Sequence, residues 1–459
     1  MPSTPADCRV HSLHSRGCPT MSPELLPPAV CRAGCARANL TPPVGASLAG
    51  YFHDRVSESV RDDLFANAMV LESHGTRVAL VSCDLISVDL ATTAPAKELI
   101  EAETGIPPDH VLISATHTHT GPELRENAIV PALTGYVETL PRLIADAVRD
   151  AAEAMVPVTL HAGRTQATGY SFNRLFRLKD GAELFGRRGD QAVKEAGPID
   201  PELQTLSLVD EEGNLRGLAL NFALHPDVIG GGGAKFLSAD WPGEIAKNVR
   251  AVYGGDVVTV FLQGTCGDIN HCIHTPTHLP AGGPKKAVQL GRALAGAAMY
   301  AAERAEPMSH VPLAAKVETL SIPYYTRDDA FRAELAALKA KPNPSDFEQY
   351  IIQRGENWPH DGQQADVPVQ TMRLGDIGLV ALPAEIFVRI GLEIKHFSPA
   401  PHTFVVELAN ARSSTYVPTT DQAERGAYGA KPILSRWLCA DAGRRMADAA
   451  QVMLWKLWE

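Results

Sequence analysis

The chain has 459 residues, 45% of them hydrophobic and 21% charged, with a formal net charge of −11. That is an ordinary soluble globular composition, long enough for one large catalytic domain or two average ones. The acidic balance excludes the basic face that nucleic-acid binding needs, and no uninterrupted apolar run is long enough to span a bilayer.

Residues 1–28 mix His, Arg, Cys and Pro without the apolar stretch of a secretory signal. They are expected to be a disordered extension, with Met21 as an alternative start, and 29–459 to be one continuous domain. Eight cysteines are too sparse for a disulfide scaffold. Neither Cys31/Cys35 nor Cys266/Cys272 has a second pair at zinc-ribbon spacing. Reduced thiols in a cytoplasmic protein are the expectation.

In chain order, 33–43 read as a strand closing on a double-proline turn. The apolar runs 65–71 and 78–83 form a hairpin. A helix over 92–104 precedes the strand Val111-Leu112-Ile113-Ser114-Ala115, giving a strand–helix–strand unit of α/β type. Leu140, Leu143, Ile144, Ala147 and Val148 at helical spacing predict a helix over 136–154. Strands follow at 158–163, 203–209 and 215–224. The last is almost wholly apolar and is therefore expected to be central. A helix reaches Arg250, 257–262 is a buried strand, and 285–305 is a helix. A polar, helix-rich insertion covers 328–354. A hairpin over 371–382, a helix, a strand at 404–408, a loop over 410–428 and a C-terminal helix complete an α/β chain of mixed sheets flanked by helices.

Several of the most apolar strands stop at a polar group: His117, His225, Asp268, Glu385, and Asn410 with Tyr416 beyond it. Ligands collect outside strand ends in α/β sheets. In Thr116-His117-Thr118-His119-Thr120-Gly121-Pro122 the two imidazoles are two apart and share a face if the strand geometry persists. Such a pair suits a metal or a proton-transfer site, or is simply bonded to backbone. Asp240 in Ser238-Ala-Asp-Trp-Pro-Gly243 either orients a ligand histidine or caps the following helix.

Seven stretches, in this order, resemble the neutral/alkaline (non-lysosomal) ceramidase family, specifically its N-terminal catalytic domain. They are Ala115-Thr-His-Thr-His-Thr-Gly-Pro122, Phe172-Asn-Arg174, Asn221-Phe-Ala-Leu-His-Pro226, Ser238-Ala-Asp-Trp-Pro-Gly243, Gln263-Gly-Thr-Cys-Gly-Asp268, Leu382-Pro-Ala-Glu385 and Tyr416-Val-Pro-Thr419. The resemblance implies one Zn²⁺, with other divalent metals as alternatives, held by His117, His225, Glu385 and Tyr416. It also makes His119 a substrate-facing histidine that shuttles a proton and Arg174 an arginine beside the oxyanion. Asp240, Asp268 and Gln263 become supporting or substrate-binding residues.

Ceramidases carry a serine nucleophile in Gly-Asp-x-Ser-Pro. Here the run is Gly267-Asp268-Ile269-Asn270-His271, and a carboxamide cannot accept an acyl group. Of the nearby Thr265, Cys266 and Cys272, Cys266 is the best-placed replacement nucleophile, its alternative being an inert small hydrophobe, and Asn270 is left to hydrogen-bond substrate. The expectation is a zinc-dependent hydrolase cleaving an amide or ester of a small polar molecule by metal-activated water, not ceramide itself. The alternatives are a lyase or isomerase on a sugar-like molecule, or a non-catalytic protein with a metal pocket. The longer ceramidases add an immunoglobulin-like domain that the C-terminal helix here does not resemble.

Overall fold

A computed structural model describes residues 30–459 except 52, 126–129, 186–190, 231–232, 273–280, 426 and 428. The expected disordered extension, with Met21, lies outside the described residues.

The principal strands are β1 (Val30–Asn39), β2 (Phe65–Ser73), β3 (Thr76–Cys83), β4 (Val111–Ala115), β5 (Val156–Gln166), β6 (Glu202–Asp210), β7 (Leu215–Phe222) and β8 (Val258–Gln263). With the short Glu306–Pro307 strand on β5 they form a nine-stranded sheet in the order β8-β7-β6-β5-β1-β2-β3-β4. The β3–β4 and β7–β8 pairs are parallel and the other pairs antiparallel, so the sheet is mixed. A second sheet takes β9 (Leu313–Pro323), β10 (Gln364–Leu374), β11 (Ile377–Ala381) and β12 (His402–Val406) in that order, with β11 and β12 parallel.

The principal helices are α1 (Leu90–Thr104), α2 (Leu140–Glu153), α3 (Asp240–Tyr253), α4 (Pro284–Glu303), α5 (Asp329–Lys339), α6 (Asp346–Glu356), α7 (Val388–Phe397) and α8 (Ala442–Trp458), with short turns of helix at Thr134–Val137 and Thr420–Glu424. Local chemistry sets several starts. The Asp89 side chain accepts from the Thr92 amide at the head of α1, and Ser345 with Glu348 forms a capping box on α6. The single helix expected over 136–154 is two pieces, because Pro141 sits in the first turn of α2, where its missing N–H costs nothing.

Alternation along the strands gives each sheet two apolar faces, and the layers follow. Val70, Val81 and Ile113 face Ile100, Ile144 and Val148 of α1 and α2. Leu218, Leu220 and Phe261 meet Trp241, Ile245, Leu290 and Leu294 of α3 and α4. Between the sheets Met69, Leu80, Leu206 and Val260 meet Met372, Leu379 and Phe404. Behind the second sheet Val380 and Val405 meet Ile394, Met446 and Met453 of α7 and α8. The result is helix, sheet, sheet, helix. No helix among the described residues is long and apolar enough to cross a membrane.

The three parallel pairs bring the carboxyl ends of β4, β7, β8, β11 and β12 to one rim. The chain after β12 laces the sheets together there: Asn410 N donates to Ile113 O at 2.7 Å, and Asn410 Oδ1 accepts from Ile113 N at 3.2 Å. Asn410 Nδ2 reaches Gln370 Oε1 at 2.7 Å.

Candidate metal centre

Side chains from three of these strand ends and from one short strand meet at the rim. His117 and His119 follow β4, His225 follows β7, Glu385 follows β11, and Tyr416 lies in register with Glu385 in a short parallel pairing, Glu385–Ile386 with Tyr416–Val417. His117 holds a left-handed φ of +70°, which turns its ring out of the strand direction. Left-handed residues gather at this rim, with Asp240, Leu408 and Asn410 in the same region. Strain of this kind persists where surrounding bonds over-determine the backbone. Here His117 N is held by Leu85 O at 2.9 Å.

The Nε2 atoms of His117 and His225 are 3.0 Å apart, and that of His119 is 3.3 Å from His117. Glu385 Oε2 stands 3.4 Å from His117 Nε2 and 3.6 Å from His225 Nε2. The three histidines offer ligand atoms within 4.8 Å of one another. His117 Nδ1 faces Ile86 O at 2.6 Å and His225 Nδ1 faces Cys266 O at 3.1 Å. A nitrogen facing a carbonyl must carry the proton, so both Nε2 lone pairs point into the cluster. Glu385 Oε2 is buried with no hydrogen-bond partner. Imidazole lone pairs crowded against an orphaned carboxylate oxygen fit a cation and little else.

Electrostatics agree. Burial, then Arg174, holds His225 well below the usual imidazole range. Burial, then His117, takes His119 down to about 3. Glu385 is pulled up by burial, but His117, the Tyr416 hydroxyl and His119 outweigh it and keep the carboxyl ionised. Neutral imidazoles and an ionised carboxylate are the forms a metal binds.

Arg174 lies beside the cluster, Nη1 3.5 Å from Tyr416 Oη and Nη2 3.8 Å from Asp227 Oδ2. Asp227 also accepts from Asn270 Nδ2 at 2.9 Å and His271 Nδ1 at 3.1 Å. Asn270 Oδ1 takes the amides of His271 and Cys272, so its carboxamide is engaged on both sides. Asp268 binds the Val388 amide at 2.8 Å and Asn173 Nδ2 at 2.9 Å, and its carbonyl accepts the Arg174 amide, which places the loops around the cluster. Gln263 Nε2 donates to Leu224 O and Gly264 O, fixing the turn into His225. The Asp240 carboxylate accepts from the Ile229 and Trp241 amides at 2.9 and 2.7 Å.

Two contributors escaped the sequence reading. One is Asp227. The other is Glu407, fully buried, whose Oε2 accepts from Cys266 N at 3.1 Å and Ile386 N at 2.7 Å. A single carboxyl therefore ties the segment that orients His225 to the one that carries Glu385. Neither residue lies in a recognisable motif, although Asp227 follows His-Pro directly. Cys266 Sγ sits 3.0 Å from Glu407 Oε1 and 3.2 Å from His225 Nδ1. Burial, then Glu407, pushes this thiol well up, away from the thiolate a nucleophile requires. Gly50, at φ +97°, is required: a Cβ there would stand 2.3 Å from His119 Nδ1.

An α/β protein with a cation-ready cluster of histidines at its strand ends is the class these observations define. No protein-family model matches the chain. It is 24% identical over 266 residues to the neutral ceramidases of Drosophila melanogaster and Drosophila pseudoobscura pseudoobscura. That match covers 54% of this chain and 37% of each relative, so it spans little more than a third of the relatives' length. The crystal structure of neutral ceramidase from Pseudomonas aeruginosa superposes with a TM-score of 0.72 at 20% identity, over 94% of this chain and 75% of that one. A ceramidase complexed with C2 superposes with the same TM-score at 19% identity. The fold is the neutral ceramidase fold, and the sequence likeness points to the same family.

Proposed function

We propose that the protein is a metal-dependent hydrolase that cleaves an amide, or an ester, of a small polar molecule other than ceramide. The observation that carries this reading is the meeting of His117, His119 and His225 with the unpartnered Glu385 oxygen. His117, His225, Glu385 and Tyr416 would hold the ion, and nitrogen with oxygen ligands suits zinc. A bound divalent cation supplies Lewis acidity toward a scissile carbonyl and toward water.

The chain's own residues divide the remaining work. Arg174, fixed between Tyr416 and Asp227, offers charge to a carbonyl oxygen that becomes negative. His119, whose Nε2 faces the cluster, takes the proton from the attacking water and passes it to the departing amine or alcohol. Asn270 acts by holding Asp227 rather than by accepting an acyl group. Water therefore adds directly to the carbonyl carbon, and the C–N or C–O bond breaks without an acyl-enzyme. The six described cysteines, all free thiols, support a cytoplasmic location.

The test is a panel of short N-acyl amino acids and acyl esters incubated in ¹⁸O-labelled water with metal-loaded protein. Hydrolysis puts one label into the released carboxylate. A product formed without label overturns the reading in favour of a lyase or isomerase, and no turnover with any member favours a binding protein.

A further inference from the structure

The rim on the Glu385 side carries arginines without carboxylates of their own. Arg412 arises from the loop between Asn410 and Tyr416; its Nη2 donates to Thr415 Oγ1 at 2.8 Å, and its guanidinium lies 4.8 Å over the Trp437 ring. Arg354, from α6 in the insertion, lies over the same indole at 5.6 Å and donates to Ile433 O at 3.4 Å. Arg354 Nε and Trp437 Nε1 are buried and have no hydrogen-bond partner. Arg125, which follows the His-x-His turn, is already paired, its Nε and Nη2 on Glu123 at 2.7 and 2.9 Å.

Among the described residues no carboxylate forms an ion pair with Arg412 or Arg354. Burial is the largest influence on Arg412 and takes it down to about 9; Arg125 and Arg354 oppose its charge, and Glu385 and Glu123 favour it. Arg412 is thus within electrostatic reach of the proposed metal ligand Glu385. Arg412 and Arg354 are half-buried, and a charge withdrawn from part of its water is ordinarily paired. Two like charges held against one indole ring, each opposed by the other's field, in a chain with a net charge of −11, are an arrangement that an anion would neutralise.

We infer that Arg412 and Arg354, with the Trp437 N–H, form an anion subsite beside the metal centre, and that the substrate bears a carboxylate or a phosphate. The second clause rests on the hydrolase reading; the first does not. Guanidinium forks match either oxyanion in two-point contact, and the unpartnered Nε of Arg354 and Nε1 of Trp437 are donors to spare. A neutral lipid amide brings these groups no negative charge, which separates this site from one built for ceramide.

The experiment is calorimetric titration of succinate and of inorganic phosphate into the full metal-loaded chain, against chloride at matched ionic strength. The wild type binds one of the two anions, and the preferred one assigns the group. Arg412→Met and Arg354→Met each weaken binding about tenfold or more, with metal content unchanged, and Arg412→Lys retains part of it. Arg354 lies on the peripheral insertion, so its variant serves if Arg412→Met does not fold. Binding no stronger than chloride overturns the inference. So does wild-type affinity in both methionine variants, since the anion would then sit elsewhere. His117→Ala separates the two readings: anion binding that survives loss of the metal shows that the subsite does not depend on the hydrolase proposal, and a wild type that binds the anion but cleaves no acyl substrate overturns only the latter.

Discussion

Glu407 touches no proposed ligand side chain, yet it holds both the Cys266 amide beneath His225 and the Ile386 amide beside Glu385. Replacing such a supporting partner costs metal affinity more than it costs folding, typically about 10–100-fold. Glu407→Leu should lose metal to a chelator in that range while circular dichroism stays unchanged, and Glu407→Gln, which keeps an acceptor for the amides, should recover much of it. Equal affinity in Glu407→Leu would remove the residue from the site. A second residue reports through pH. Burial pushes Asp84 up to about 7, so between about pH 4 and pH 7 the folded chain keeps a proton that the unfolded chain has released. Its contribution to stability is therefore lost as pH rises through that window. Asp84→Asn should gain on the wild type between about pH 5 and pH 8, by on the order of 3 kcal/mol, measured by urea denaturation at both values. At this scale the motifs made the cluster legible: His117, His225, Glu385 and Tyr416 each end a strand or follow one in a recognisable pattern. Asp227, Glu407, Arg354 and Arg412 were not legible, because none lies in a motif and what they meet across the fold leaves no mark in the sequence around them.

Among the elements, the hairpins β2–β3, β6–β7 and β10–β11 could be read directly from alternating apolar runs between turns. The strand β9 could not. Its sequence, Leu-Ala-Ala-Lys-Val-Glu-Thr-Leu-Ser-Ile-Pro, is largely half-buried at the edge of the second sheet, so it carries little of the continuous apolar signal of a central strand. The break before α2 was likewise hidden, because the apolar spacing runs on while Pro141 sets a new first turn. Close approach between elements is another property that periodicity does not show. A Cβ on Gly34 of β1 would stand 2.1 Å from Ala151 O of α2, backbone that cannot turn aside. Gly34→Ala should therefore lift α2 from the sheet and cost about 1–3 kcal/mol by equilibrium denaturation. An unchanged midpoint would mean that α2 docks less tightly than its contacts show.

At the scale of the molecule, the two sheets matter because their facing layers bring separate strand ends to one rim. The ligand set is split between them: His117 and His225 come from the nine-stranded sheet, Glu385 from the four-stranded one, with Asn410 lacing the two. A metal held across that junction would bind the folded chain and not the unfolded one, and would raise the thermal midpoint as it is added. The most direct measurement is elemental analysis of purified protein by plasma mass spectrometry, for the wild type, His117→Ala, His225→Ala and Glu385→Ala. The account predicts about one divalent ion per wild-type chain, loss of it in each variant, and a higher thermal midpoint for the loaded wild type alone. A metal-free wild type that no added zinc stabilises, or variants that keep the ion in full, would contradict it.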